Sequence, residues 1–62
     1  MIGAIVIKKE FVEEATNKYG KKIVDAVFEK MKGQHPDILL NELDGEEREC
    51  FLTIMKNRYQ KN

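Results

Sequence analysis

Lys21-Lys22-Ile23-Val24-Asp25-Ala26-Val27-Phe28-Glu29-Lys30-Met31-Lys32-Gly33 is the stretch on which the fold class turns. Ile23, Val24, Val27, Phe28 and Met31 recur at the spacing of one face of a 3.6-residue period. The opposite face carries Lys21, Lys22, Asp25, Glu29, Lys30 and Lys32. Lys21 and Asp25 stand four apart, a pairing worth about 0.2–0.5 kcal/mol on a helix. Gly33 fits the position just past a helix end, where the backbone turns left-handed at least cost. An amphipathic α-helix is therefore expected between Gly20 and Gly33.

C-terminal to it, Pro36 sits where a first helical turn tolerates a missing N–H, with Ile38, Leu39, Leu40 and Leu43 behind it. This predicts a short helical turn that plugs the core. Asp44 followed three residues later by Glu47 reads as a capping box. Phe51, Ile54, Met55, Arg58 and Tyr59 then continue an apolar face, so a helix is expected over about 46–59. Acidic residues at its start and Lys56, Arg58 and Lys61 towards its end both suit the helix dipole.

N-terminal to the opening stretch, Phe11, Val12, Ala15 and Tyr19 repeat at helical spacing, and Glu14 precedes Lys18 by four. A helix over about 9–19 is expected. It either stops at Gly20 or runs on through it, since an interior glycine costs only about 1 kcal/mol relative to alanine. If it runs on, Val12, Ala15, Tyr19, Ile23, Ala26 and Val27 form one long seam that would invite a second chain. The segment 2–7 reads two ways: a lone β-branched strand that must pair between chains, or the start of the first helix. The expectation is an all-α fold, a small bundle of three or four short helices forming a single domain over 1–62.

At 62 residues and 7.2 kDa the chain lies near the lower limit for a self-sufficient core. A composition of 42% hydrophobic and 35% charged residues separates it from disordered tails and fibrous repeats. The eleven Lys and Arg offset the eleven Asp and Glu, so no net field draws it to nucleic acid or an anionic membrane. Charge is nevertheless segregated. Asp37, Glu42, Asp44, Glu46, Glu47 and Glu49 face only Arg48 in 37–49. Lys18, Lys21 and Lys22 form one basic cluster, and Lys56, Arg58 and Lys61 another. With Tyr19 and Tyr59 interleaved, these clusters are the candidate nucleic-acid-binding residues of an alternative reading as a regulator. A helix-turn-helix fits poorly, because the connection over 33–44 is much longer than the usual turn. A ribbon-helix-helix reader fits poorly too, because Ile5, Val6 and Ile7 would present apolar rather than polar side chains to base edges.

Reactive chemistry has little material. Cys50 is the single cysteine and His35 the single histidine, so an internal disulfide is excluded and no nucleophile, base and orienting group come together in the sequence. Cys50 beside Phe51 reads as a packing residue, and His35 before Pro36 as a helix-entrance residue. The four glycines are scattered and form no phosphate loop. The acidic stretch lacks the alternating oxygen ligands of an EF-hand, and a zinc site lacks ligands. No catalytic residue, metal site or cofactor is expected, and the chain is not read as an enzyme. The apolar run 2–7 is far shorter than the roughly 20 residues of a membrane span and lacks the flanks of a signal peptide. A cytoplasmic setting is the expectation.

A chain this short buries only about 60% of its unfolded surface, so hydrophobic gain barely exceeds conformational entropy. With disulfides excluded, good packing, oligomerisation or a partner must supply the rest. The apolar inventory exceeds what three or four short helices need. The sequence therefore points to a small intracellular helical interaction or regulatory module that homodimerises or docks on a protein partner. Its candidate partner-binding residues are Phe11, Tyr19, Val27, Phe28, Met31, Phe51 and Met55. Aspartate at both Val27 and Phe28 is expected to abolish folding and association together.

Overall fold

The computed structural model describes residues 7–59. Five helices follow one another: α1 (Lys9–Tyr19), α2 (Lys21–Gly33), α3 (Pro36–Glu42), α4 (Gly45–Ile54) and α5 (Lys56–Tyr59). The all-α class holds, and no strand occurs among the described residues. The count differs from the expected three or four, because the chain breaks once more than its hydrophobic pattern shows. The strand-or-helix question over 2–7 lies outside the described residues except at Ile7, which precedes α1 in neither state.

The first break is at Gly20, so the long continuous seam does not form. Gly20 has φ 96° and ψ 153°, a region open essentially to glycine alone. It serves both neighbours: its N–H donates to the Thr16 carbonyl at 2.9 Å, and its own carbonyl accepts from Val24 N–H at 3.1 Å. One residue thus ends α1 and starts α2. Lys21 and Lys22 place positive charge on the positive pole of α2, where a dipole argument disfavours it. No side chain caps that end.

α3 begins as the sequence indicates, with Pro36 as its first residue and His35 as its N-cap. Leu39 and Leu43 plug the core, while Ile38 is 54% exposed. The guanidinium of Arg48 donates to the Leu40 carbonyl at 2.9 Å and satisfies the end of this short helix. The capping box at Asp44 does not form. Asp44 is the N-cap of α4, but its side chain makes no cap bond; Gly45, the first residue of the helix, has φ 61°, so the backbone leaves the N-cap in a left-handed conformation.

α4 is the central element, packed against both α1 and α2. Its C-terminal half is buried nearly all round: Cys50, Phe51, Thr53, Ile54 and the following Met55. The one polar member, Thr53, donates its hydroxyl to the Glu49 carbonyl at 3.0 Å. Ala15, Val24, Val27, Leu39 and Leu43 complete the core from the other three long helices and the α3 cap. The unexpected break falls at Met55 (φ −96°, ψ 30°), so the helix expected over 46–59 is divided into α4 and α5. That bend brings the Tyr59 ring to 5.9 Å from the Phe51 ring, tilted by 44°.

Besides the Arg48–Leu40 bond, three side-chain pairs tie the elements together. Lys30 of α2 meets Glu47 of α4 at 2.6 Å. Lys56 of α5 meets both carboxylate oxygens of Glu14 on α1, at 3.1 and 3.2 Å. The Tyr59 hydroxyl of α5 donates to Asp37 of α3 at 2.6 Å. The expected Lys21–Asp25 pair is present at 2.8 Å. Glu14 departs from the expected helical pairing with Lys18 and reaches across to Lys56, whose ammonium also stands 5.6 Å from the centre of the Phe11 ring.

Candidate docking surface

Phe28 and Met31 are three residues apart on α2 and therefore share a face. Their side chains stand at the edge of the core rather than inside it. Ile7, just before α1, and Pro36, the first residue of α3, close in from two sides. The result is an open apolar cleft of about 330 Å³ lined by Ile7, Phe28, Met31, Lys32, Gln34 and Pro36. Its floor is aliphatic, aromatic and thioether, and its rim carries one cation and one amide. Such a lining can desolvate an apolar side chain while a few polar groups fix its orientation. Ile38, on the same short helix as Pro36, is the large apolar residue left exposed among the described ones.

A second hollow of about 430 Å³ lies between the end of α2 and α3, lined by Glu29, Lys30, Gly33, Gln34, Leu39, Glu42 and Leu43. Two of its three charged residues are engaged elsewhere: Lys30 by Glu47, and Glu29 by Lys32 at 3.1 Å.

The seven apolar candidates divide by depth. Val27, Phe51 and Met55 are fully buried within the chain's own core and present no surface. Phe28 and Met31 line the cleft. Tyr19 and Phe11 are half-buried; Tyr19 packs on the core, and the Phe11 ring lies between the ammonium groups of Lys8 and Lys56, at 5.9 and 5.6 Å. Sequence reasoning missed Ile7, Gln34 and Pro36 as neighbours of Phe28, because nothing in their spacing brings a pre-helix residue and a loop to the same face.

The basic candidates divide as well. Lys18, Lys21 and Lys22 are exposed around the α1–α2 junction, with Lys21 on Asp25. Lys56 is held by Glu14, Arg58 lies 4.0 Å from Asp37, and Lys61 falls outside the described residues.

Burial, with the nearby Glu47 charge adding to it, pushes the Cys50 thiol up to about 11, so it stays protonated at neutral pH and packs as a small apolar group. Among the described residues no three His, Cys, Asp or Glu side chains converge on a point, and no helix is long and apolar enough to cross a membrane. Compared with family models, curated proteins and solved structures, the chain finds no match.

Proposed function

We propose that this chain is a small helical interaction module that acts by homodimerisation or by docking on a protein partner, with the cleft between α2 and the start of α3 as its contact surface. The observation that carries this reading is the cleft itself, an apolar hollow on a chain whose other apolar side chains are largely taken up by the core. Phe28 and Met31 would be its anchors, since an aromatic ring and an adaptable thioether suit a shallow site. A cytoplasmic place of action belongs to the same proposal and rests on the lone, unpaired Cys50. The regulator reading based on nucleic acid has less behind it, because Lys56 already has a carboxylate partner.

The test is sedimentation equilibrium over a wide concentration range, on the native chain and on Phe28→Asp, with far-UV circular dichroism at each point. The reading expects association by the native chain, with itself or with a captured protein. It expects Phe28→Asp to keep its helicity while losing that association. A native chain that neither self-associates nor retains any protein, or a variant that associates unchanged, would count against it.

A further inference from the structure

His35 holds the entrance to α3 with an acceptor, and that has a consequence for pH. Its Nδ1 accepts the Asp37 N–H at 3.2 Å. The same Nδ1 lies 3.8 Å from Oδ2 of the Asp37 carboxylate. That carboxylate is in demand from elsewhere: the Tyr59 hydroxyl donates to its Oδ1 at 2.6 Å, and the Arg58 guanidinium stands 4.0 Å from Oδ2. The loop before α3, α3 itself and α5 thus meet at one carboxylate.

An imidazole nitrogen accepts a hydrogen bond only while its lone pair is free, which here requires the neutral ring with its proton on Nε2. When a second proton is taken up from solvent, Nδ1 becomes a donor facing another donor, and the bond to the Asp37 N–H cannot persist. The acceptor within reach is Asp37 Oδ2. We propose that His35 is a proton-operated latch: neutral, it caps α3 and leaves the Asp37 carboxylate in the orientation in which Oδ1 meets Tyr59; protonated, it releases the amide and draws Oδ2 of that carboxylate towards its own N–H, turning Oδ1 away from Tyr59. The start of α3 and its tie to α5 loosen together. Because Pro36 lies between the two latch residues and lines the apolar cleft, the latch sits in the wall of that cleft; it does not depend on the docking reading.

The charged groups around the latch are few: Asp37 on α3 lies beside the ring, and Arg58 on α5 stands on the far side of the same carboxylate. On α2, which also packs on α3, Lys30 and Lys32 are turned to Glu47 and Glu29. The hydrogen bond from Tyr59 holds the Asp37 carboxyl below its ordinary value, and burial, followed by the bond to Asp37, pushes the Tyr59 phenol above its own. Asp37 stays ionised and Tyr59 neutral from pH 5 to 8, the range in which histidine is the side chain that ordinarily changes charge.

Nuclear magnetic resonance on the full chain between pH 8 and 5 tests the latch. As the His35 ring titrates, the α-carbon shifts of residues 36–38 should move from helical towards coil values, and the Tyr59 ring resonances should move along the same curve. His35→Asn replaces the titrating cap by one that accepts at every pH, and should keep the helical shifts throughout. His35→Ala should show coil-like shifts at both ends of the range. The proposal is overturned if the 36–38 shifts or the Tyr59 ring stay still while His35 titrates, or if the response survives in His35→Asn.

Discussion

Val27 and Phe28 are adjacent and equally apolar, yet they have different jobs. Val27 is wholly buried, whereas Phe28 is at the core's edge and in the cleft wall. The expectation that aspartate at both would abolish folding and association together therefore separates into two. Val27→Asp buries an unpaired carboxylate and should leave the chain unfolded, without a cooperative melting transition in circular dichroism. Phe28→Asp should keep the helical spectrum. Phe51 is the largest fully buried side chain, and Phe51→Ala is expected to cost about 3–5 kcal/mol in urea denaturation, enough to unfold a domain this small. Cys50 offers a chemical check on the same core. At pH 8 its buried, protonated thiol should react with a maleimide far more slowly in the native chain than in urea; equal rates would mean that the α4 interior is open.

At the scale of elements, the two breaks at Gly20 and Met55 shape the molecule. A β-carbon on Gly20 would meet nothing within 4 Å, so Gly20→Ala tests backbone strain alone. With φ at 96° the expected loss is about 1–3 kcal/mol, read from urea denaturation, where an alanine at a normal helical position would stabilise. The second break is held by the Tyr59–Asp37 bond, whose pH dependence has a defined sign. The Asp37 carboxyl lies below its ordinary 3.8 in the folded chain, so its contribution is present above that pH and lost as pH falls through the depressed value. The Tyr59 phenol lies above its ordinary 10.0, so its contribution is present below that pH and lost as pH rises through the elevated value. Tyr59→Phe should thus lower stability near neutrality and flatten its dependence at both extremes, as followed by thermal melts. The Lys56–Glu14 link is part-exposed, and Lys56→Ala should cost no more than about 1 kcal/mol by the same melts, part of it from the lost contact with the Phe11 ring.

For the molecule as a whole, the described chain has a radius of gyration of 11.0 Å, near the roughly 10–11 Å of a compact chain of this length. Its core is closed by α4 lying across α1 and α2, so much of the apolar surplus counted in the sequence is consumed inside one chain. Among the described residues, what is left for another chain is the cleft and Ile38. That surface is small beside the roughly 800 Å² per partner of a standard stable interface, and association through it alone should be weak and dynamic. Helicity is accordingly expected to persist on dilution while the weight-average mass falls, which sedimentation combined with circular dichroism would show. Helicity lost in step with mass would instead mean that the fold itself depends on a second chain.

The sequence by itself determined the α class, three helix positions and the proline-led entrance to α3, because each follows from neighbours within a turn or two: apolar spacing, a cap, a missing N–H. It marked Gly20 as punctuation and Cys50 as a packing residue by the same local logic, whereas Gly33, expected just past the end of α2 in a left-handed turn, is the last residue of that helix and Gln34 follows it in extended backbone. Tertiary structure alone decided the bend at Met55 and the reach of Glu14 to Lys56, since each depends on a partner many residues away. It also decided which residues of the apolar stripe are surface: periodicity gives the direction a side chain faces, whereas its depth is set by what packs over it, and here α4 packs over Val27 and carries Phe51 and Met55 into the core while Phe28 and Met31 stay at an open edge.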